Sequence, residues 1–535
     1  KLAKCSDWLG RLPAELALRI YPPRVSDETA IADEWMLDTR PTVDEQPWGA
    51  APSCSAPANS SPMIDDRPKG TSVDKWLAAA LDYLPPWIKH QMSLTEQPGC
   101  TIAVAAKGKL VFEAAFGHAN LAQQAALTEH HRFRVASHSK TFTAAAILKL
   151  REQGRLKLDD RLGQYVGGLH PSVAQATLAQ LLSHTAGLIR DGFDAGQWQD
   201  RRPFLGEKDL RADLAGGTTI EPNTRFKYTN HGYGLLGLVI EAVTGERYVD
   251  WVAREIVAAS GLEHTTPDMP AASARIPFAS GHSAKLPLGR RVVIPADNPT
   301  HALASATGFV STAGDLARFF ANLSPDAKRS VLTPDSRREM VRRQWKSAHD
   351  TSERWYGLGT ISGKLGEWEW FGHSGGFQGT ITRTCCVPEQ GLTVSVLTNA
   401  ADGLSHTWLD GALHILQTFA RHGAPGRRSA GRAGRYWSLW GAFDFVPAGG
   451  KVLVANPSLP NPMMDASQIE PDARRRGATD SGRITLAGGF ANHGETARIE
   501  RDARGRVVEA WLGGTRLVSE AKAVKELSAR YTGKA

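Results

Sequence analysis

The sequence predicts an α+β protein built from more than one domain. Two β-rich runs around a Gly-containing turn predict a hairpin over 101–117, and four further runs predict a strand-rich stretch over 355–399. Between them, the segment from Phe142 to Leu150 is apolar nearly all round, which is typical of a buried helix. A chain of 535 residues exceeds what one hydrophobic core accommodates, so two or three domains are expected.

Composition divides the chain into four segments. Residues 1–70 are rich in proline, serine and aspartate and predict an extended N-terminal arm. Residues 71–422 hold the periodic helices and strands of the main domain. Residues 423–434 form a basic, glycine-rich linker. In residues 435–535, short alternating runs with turn signals predict a C-terminal antiparallel β-domain.

The helices of the main domain are predicted from periodicity and from their end signals. A helix over 71–84 is expected to stop at Pro85 and Pro86, because proline lacks the backbone N–H that a helix interior needs. The other predicted helices are 177–188 ended by Gly187, 226–245, the segment that Thr312 and Asp315 open as a capping box, and 405–420.

Composition and charge also limit which partners and compartments are expected. The sequence has no run of 18 apolar residues, so no membrane span is expected. The net charge of +8 comes without a nucleic-acid-binding motif, so we expect no nucleic-acid partner. The chain begins at Lys1 rather than methionine, and we expect a processed protein in the periplasm or outside the cell, with the cytoplasm as the alternative. The oligomeric state is left open.

The five cysteines do not indicate a metal site. Their number is odd and none forms a C-x-x-C pair, which argues against zinc, and no cofactor is expected. Cys385 and Cys386 are neighbours in a predicted strand and should face opposite sides of it, as buried structural thiols.

Ser137 and Lys140 stand where a turn leads into the apolar helix. Residues three apart on a helix are within side-chain reach, so a nucleophile and a base could meet there. The serine N–H at a helix start is also free to stabilise a developing negative charge. A lysine buried against this helix would lose solvation, and its pKa would fall toward neutrality.

The S-x-x-K spacing alone decides nothing. Ser72 with Lys75, and Ser519 with Lys522, have the same spacing, and in both pairs a solvated lysine on a helix face is the simpler interpretation. His184, within the predicted helix 177–188, is interpreted as a hydrogen-bonded structural histidine.

Three short motifs follow one another along the chain. Ser137-x-x-Lys140 is followed by Tyr228-x-Asn230 and then by His373-Ser374-Gly375; Tyr228 is the only tyrosine followed by x-Asn, and His373 is the only histidine followed by x-Gly. With these elements the sequence resembles the serine β-lactamase and penicillin-binding-protein superfamily, most closely its class C β-lactamase, D-aminopeptidase and esterase branch. The stretches LLSHTAGL and GFVSTAGDLARF, and a strand ending in LTN, add to the resemblance, which covers about residues 75–420.

This resemblance implies a β-lactamase/transpeptidase-like fold: an antiparallel sheet flanked by helices, with an all-helical lobe and the active site between the two. It assigns the acylated nucleophile to Ser137, its activation to Lys140, and proton transfer to Tyr228. Which of the last two is the general base stays open. Asn230 would hold the acyl-side carbonyl of the substrate. By position, the backbone N–H groups of Ser137 and Gly376 would form the oxyanion hole.

The third element departs from the family pattern. His373-Ser374-Gly375 takes the place of Lys-Thr-Gly on the substrate-binding strand, and histidine is mostly neutral at pH 7. The loss of a fixed positive charge argues against β-lactams and favours a serine peptidase or amidohydrolase. Linear peptides with D- or unusual residues, such as linearised microcystin, are the expected substrates; an esterase or β-lactamase of the same fold is the alternative.

Two other protein classes compete with this hypothesis. Gly372 to Gly376 also fits G-x-S-x-G, the nucleophile elbow of α/β-hydrolases, with Ser374 as nucleophile and Asp402 and His406 or His414 as partners. That motif must lead from a strand into a helix, whereas a strand-like run follows here. The second class is an inactive penicillin-binding or sensor module, which usually lacks the lysine or the tyrosine that this sequence has.

Overall fold

The computed structural model describes residues 73–271, 275–286, 289–347, 353–473, 479–489 and 491–531. The predicted N-terminal arm lies outside these ranges. The described α-helices are α1 Lys75–Thr95, α2 Ser139–Glu152, α3 Pro171–Ala174, α4 Leu178–Leu182, α5 Glu207–Asp213, α6 Asn230–Thr244, α7 Tyr248–Val252, α8 Ala313–Asn322, α9 Pro334–Val341, α10 Ser405–His422 and α11 Glu520–Tyr531. No helix within these ranges is long and apolar enough to cross a membrane.

In the main domain the strands are short at the edges and long at the centre. They are β1 Gly99–Ala106, β2 Lys109–Asn120, β3 Ala125–Ala126, β4 Phe133–Arg134, β5 Gly281–His282, β6 Val293–Ile294, β7 Val310–Ser311, β8 Trp345–Lys346, β9 Arg354–Tyr356, β10 Ile361–Leu365, β11 Trp368–Phe377, β12 Thr380–Val387 and β13 Leu392–Thr398. The described part of the main sheet has nine antiparallel strands in the order β3-β2-β1-β13-β12-β11-β10-β9-β8.

The predicted hairpin is β1 and β2. Its turn is formed by Lys107 and Gly108, which both have positive φ, as a two-residue hairpin turn of this type requires. Side chains of β1 alternate between two hydrophobic cores: Val104 packs with α1 and α10, whereas Ala103 packs with α2 and α8. Helices therefore cover both faces of the sheet, and α3 to α7 form the helical lobe. The antiparallel sheet with flanking helices and a helical lobe is confirmed.

The paired cysteines follow the same alternation. Cys385 and Cys386 are neighbours in β12, and each is buried. Cys385 lies in the core of α1 and α10, whereas Cys386 lies in the core of α2. Burial raises the pKa of both thiols. They are packing residues, as the strand period predicts.

Two predicted helix ends are wrong. Helix α1 does not stop at Pro85 but runs through both prolines to Thr95. Its apolar face continues past them with Leu84, Trp87 and Ile88, all fully buried, so tertiary packing outweighs the lost backbone hydrogen bonds. Helix α4 is short and ends at Leu182 rather than at Gly187.

The C-terminal domain follows the predicted β pattern. Its strands are β14 Gly434–Ser438, β15 Gly441–Ala448, β16 Lys451–Ala455, β17 Ser467–Pro471, β18 Thr479–Leu486, β19 Thr496–Arg501, β20 Val507–Leu512 and β21 Thr515–Leu517. Within the described residues these eight strands form an antiparallel meander, and a bridge between Trp437 and Val518 joins its first and last strands into a near-barrel. Helix α11 follows β21 and was not predicted.

The near-barrel docks on the α1 and α10 side of the main sheet. Val446 and Leu453 of the barrel share the hydrophobic core that contains Trp87. Tyr83 of α1 donates a hydrogen bond of 2.8 Å to the carboxylate of Asp444. The segment predicted as a linker contains Ser429, which is buried and donates to the Gly449 carbonyl at the β15–β16 turn. The barrel therefore lies on the face of the sheet opposite to α2.

Candidate active site

Ser137 lies in a 3-10 turn, Ala136–His138, between β4 and α2. Strand β4 pairs with β7, which fixes the start of the turn. Ala136 has a φ of 46°, in the left-handed region that residues with a side chain rarely adopt. The chain thus bends sharply just before Ser137 and presents its hydroxyl at the start of a buried helix. The α-helix itself begins at Ser139, two residues later than the motif position suggested.

Lys140 is fully buried one turn along from Ser137. Its Nζ lies 3.1 Å from the Ser137 Oγ, 2.7 Å from the Asn230 Oδ1 and 2.8 Å from the Ala306 carbonyl oxygen. Burial holds the pKa of Lys140 well below its usual range; the nearby Asp191 opposes this shift and Arg190 adds to it. An amine in this environment is available as a base near neutrality.

Tyr228 reaches the same oxygen from 91 residues further along the chain. Its hydroxyl donates a hydrogen bond of 2.8 Å to the Ser137 Oγ. Burial raises the pKa of Tyr228, although the Ser137 hydrogen bond and Arg190 oppose the shift. The phenol is therefore protonated in the resting site and can act as a proton donor.

The opposite pKa shifts favour Lys140 over Tyr228 as the resting base, because burial lowers the pKa of Lys140 and raises that of Tyr228. A neutral amine has two hydrogens and one lone pair. The Asn230 Oδ1 and the Ala306 carbonyl can only accept, so they take the two hydrogens. The Ser137 Oγ is the third neighbour: an ammonium would donate its remaining hydrogen to this oxygen, whereas a neutral amine faces it with the lone pair. Tyr228 donates to the same oxygen in both cases.

Asn230 supports Lys140 at the first position of α6. It is 2% exposed, and its Nδ2 donates to the Asp191 Oδ1 at 2.5 Å while its Oδ1 accepts from Lys140. The family resemblance implies that this amide holds the acyl-side carbonyl of the substrate. In the resting site both ends of the amide have protein partners, so the contact with substrate stays a prediction and the observed contacts orient Lys140.

Asp191 and Arg190 were missed by the sequence analysis. The Asp191 Oδ1 also accepts from the indole nitrogen of Trp198 at 3.0 Å, and its Oδ2 lies 3.0 Å from the Arg190 Nε. The backbone carbonyl of Arg190 accepts from the Asn230 N–H at 2.9 Å. Nothing in the stretch after LLSHTAGL marks these residues from sequence alone, because their partners come from distant segments.

His373 is buried in the wall of the site rather than exposed to substrate. It is 2% exposed, and its Nε2 lies 3.0 Å from the Tyr356 hydroxyl while its Nδ1 bonds the backbone of Ser374. Burial lowers the pKa of His373 well below its usual range, with His138 and Lys140 adding to the effect. The strand therefore offers no positive charge at this position. Tyr356 is a further residue of the site that no motif indicated.

Strand β11 passes directly beside the turn that holds Ser137. A Cβ on Gly375 would lie 2.1 Å from the Val135 carbonyl oxygen, so only glycine allows this approach. Ser374, just before Gly375, is partly exposed. Gly376, just after it, is exposed and pairs with Ile381 of β12. This placement is compatible with the predicted pair of oxyanion donors, Ser137 and Gly376.

His184 lies behind Tyr228. It is fully buried, its Nδ1 accepts from the Thr229 N–H at 3.1 Å, and its ring centre is 4.1 Å from that of Tyr228. It thus orients the segment that carries Tyr228, which agrees with a hydrogen-bonded structural histidine. The LLSHTAGL stretch contributes to the site through this contact.

The α/β-hydrolase elbow is wrong for this chain. Ser374 lies inside the continuous strand β11, and the chain continues into β12 rather than into a helix. Within the described ranges, no group of three or more His, Cys, Asp or Glu side chains is placed to hold a metal ion.

A serine between a buried amine and a phenol, at the junction of an antiparallel sheet and a helical lobe, is the arrangement expected of a serine hydrolase. The comparisons with known proteins agree. The Beta-lactamase family profile matches residues 86–414, more than half of the chain, and the protein belongs to this family.

Two curated relatives show the range of similarity. Penicillin-binding protein 4 of Amycolatopsis lactamdurans is 28% identical over 319 residues, covering 56% of this chain and 81% of the relative. Protein flp of Staphylococcus aureus (strain MW2) is 27% identical over 186 residues, covering 34% of this chain and 36% of the relative. The chain thus spans about a third of the length of the Staphylococcus relatives it matches.

Solved structures show the same fold. An octameric penicillin-binding protein homologue from Pyrococcus abyssi has a TM-score of 0.57 at 22% identity and covers 82% of this chain and 100% of its own. A class C β-lactamase from Rhodobacter sphaeroides has a TM-score of 0.52 at 19% identity, with 63% and 99% covered. A D-stereospecific amidohydrolase from Streptomyces sp. has a TM-score of 0.50 at 25% identity, with 61% and 94% covered.

The coverage of the Pyrococcus match extends past the catalytic domain. Residues 73–422 make up about two thirds of the chain, so a match over 82% includes part of the C-terminal β-domain.

Proposed function

We propose that this protein is a serine peptidase or amidohydrolase that cleaves amide bonds through an acyl-enzyme on Ser137. The observation that carries the proposal is the position of the Ser137 Oγ, 3.1 Å from the Lys140 Nζ and 2.8 Å from the Tyr228 hydroxyl. A base and an acid thus meet at one oxygen in a largely buried site.

Acylation begins when the Lys140 amine takes the hydroxyl proton of Ser137. The serine oxygen attacks the substrate carbonyl, and the resulting oxyanion accepts from the backbone N–H groups of Ser137 and Gly376. The amide C–N bond breaks, and the departing amine leaves with the proton that Lys140 took, passed on through the Tyr228 hydroxyl. Water then attacks the serine ester and gives its proton to Lys140, and that proton returns to the Ser137 oxygen as the acid product leaves.

The absence of a positive charge at His373 on β11 favours peptide and amide substrates over β-lactams. His373 is buried, neutral and bonded to Tyr356, so β11 lacks the fixed cation that suits a β-lactam carboxylate. The likeness to a D-stereospecific amidohydrolase supports linear peptides with D- or unusual residues as substrates, and linearised microcystin is one peptide of this kind to test.

The test compares the wild type with Ser137→Ala on three probes. The first is a set of linear peptides containing D-residues, whose products are identified by mass spectrometry. The other two are a 4-nitrophenyl ester and nitrocefin. We expect Ser137→Ala to lower turnover by about 10⁴-fold or more, because no second group replaces the nucleophile. A fluorophosphonate should label the wild type and not the variant.

The chain provides a matched control in its other described S-x-x-K pair. Ser519 is exposed at the start of α11, far along the sequence from the site, and Ser519→Ala should keep full activity. Peptide cleavage that persists in Ser137→Ala would refute the proposal. Labelling of Ser137 without any product release would instead indicate a penicillin-binding or sensor module.

A further inference from the structure

The loop that follows the LLSHTAGL stretch presents a cation beside Tyr228. The guanidinium carbon of Arg190 lies 5.7 Å from the centre of the Tyr228 ring, and the Tyr228 hydroxyl bonds the Ser137 oxygen. The Arg190 side chain is 66% exposed, unlike Lys140, which is fully buried. Arg190 therefore lies at the mouth of the site, where a substrate enters.

The backbone of this loop is held in place. The Ile189 carbonyl accepts from the Thr229 hydroxyl at 2.7 Å, and the Arg190 carbonyl accepts from the Asn230 N–H at 2.9 Å. Both acceptors bond the residues that directly follow Tyr228. The position of Arg190 relative to Tyr228 is thus set by the start of α6 and not by a free loop.

The Arg190 guanidinium is only partly used by the protein. Within the described ranges its one paired carboxylate is Asp191, which lies 3.0 Å from the Nε. That carboxylate also accepts from Asn230 and from Trp198. Among the described residues, no hydrogen bond is seen from either Nη group of Arg190. A planar guanidinium with a free Nη edge matches the two oxygens of a carboxylate.

The opposite wall, strand β11, does not add a charge through His373. His373, on β11, is buried and neutral and bonds Tyr356. The cation of this site therefore lies beside Tyr228, the group that protonates the leaving amine in the proposed mechanism.

We propose that Arg190 is a specificity residue that binds a carboxylate in the leaving-group half of the substrate. The inference rests on the proposed function and names its substrate class: amides whose departing part is acidic. Arg190 also adds to the lowered pKa of Lys140, after burial, so its removal would slow all substrates to some extent. The test must therefore compare two substrates within each enzyme.

Two aryl esters make that comparison. In 4-(butyryloxy)benzoate the leaving group carries a carboxylate, and in 4-(butyryloxy)benzamide the same position is neutral. The quantity to measure is the ratio of their kcat/KM values. We expect Arg190→Gln to lower this ratio by roughly tenfold to a hundredfold, the effect of losing a charge-assisted hydrogen bond. Arg190→Lys, which keeps the charge but not the fork, should give an intermediate ratio.

Arg247→Gln is the matched control, because Arg247 is 76% exposed and also pairs with a single carboxylate, Asp250, at a helix start. Its ratio should equal that of the wild type. An unchanged ratio in Arg190→Gln, with both esters still hydrolysed through Ser137, would overturn the carboxylate proposal and leave the hydrolase proposal intact. If the wild type hydrolyses neither ester and Ser137 is not acylated, the hydrolase proposal fails and this inference fails with it.

Discussion

The two faces of the main sheet differ in what they bury. The face toward α2 encloses ionisable side chains that are fully buried, among them Arg134, His138 and Lys140. The face toward α1 and α10 buries aromatic and aliphatic side chains such as Trp87 and Trp408, and it holds the C-terminal near-barrel. Burying ionisable groups costs free energy, whereas burying apolar area stabilises the fold. Both faces bury apolar side chains, but the candidate catalytic groups lie on only one of them. The difference teaches that substitutions on the other face should change stability without changing the chemistry.

The largest expected effect is the loss of kcat/KM in Lys140→Met, a substitution on the face toward α2. Methionine fills a similar volume without an amine, so Ser137 loses its base, and kcat/KM should fall by about 10³-fold to 10⁴-fold. The variant avoids the free-energy cost of burying an amine, which stabilises the fold. It also leaves the Asn230 Oδ1 and the Ala306 carbonyl without a donor, which destabilises the fold. These effects oppose each other, so the free energy of unfolding should change by less than about 2 kcal/mol.

Lys149→Met is the control on the same helix. Lys149 is partly exposed and pairs with Glu255, far from the Ser137 oxygen along α2, and its loss should leave activity unchanged. Steady-state kinetics and urea unfolding measure the two quantities. Retention of more than a tenth of the wild-type activity in Lys140→Met would show that another group serves as the base.

The opposite face should respond in the reverse way to Trp87→Ala. Trp87 is fully buried, and a Cβ on Gly411 of α10 would lie 2.3 Å from its ring, so the indole fills the space between α1 and α10. Its Nε1 also donates to the Leu459 carbonyl in the C-terminal domain. Truncation should lower the free energy of unfolding by about 3–5 kcal/mol, while the kcat of the folded fraction stays unchanged.

Trp440→Ala is the matched control, because this tryptophan is 82% exposed at the β14–β15 turn. Its effect on stability should be within about 0.5 kcal/mol. A Trp87→Ala variant that unfolds like the wild type would mean that the barrel face contributes little to the stability of the catalytic domain.

The fold could be predicted where local signals and packing agree. The β1–β2 hairpin follows from a short turn with Gly108, and the opposite burial of Cys385 and Cys386 follows from the strand period. The end of α1 could not be predicted in this way. Its apolar face extends to Trp87 and Ile88 and packs on α10, more than 300 residues away, and this packing outweighs two prolines.

The site shows the same division. Ser137, Lys140 and Tyr228 could be found because each belongs to a short motif with its own local structure. Asp191 and Arg190 could not, since their role depends on hydrogen bonds to the start of α6 that no spacing encodes. The docking side of the C-terminal domain was also beyond the sequence, because it depends on contacts such as Tyr83 with Asp444.

The smallest expected effect concerns acid stability, to which the catalytic face contributes through His138. Both ring nitrogens of His138 are bonded, Nδ1 to the Val135 carbonyl at 3.0 Å and Nε2 to the Thr384 hydroxyl at 3.1 Å, and burial lowers the pKa of this histidine to about 4. The unfolded chain binds this proton near pH 6.5 and the folded protein does not, so folding stability decreases as the pH falls from 6.5 to 4. This one group should account for about 1–3 kcal/mol of that decrease.

His138→Asn should therefore show a flatter decrease in the free energy of unfolding over this range, measured by urea titration at several pH values. Replacement of the exposed His301 by Asn should keep the wild-type slope, and an equal slope in His138→Asn would show that the proton uptake comes from other groups.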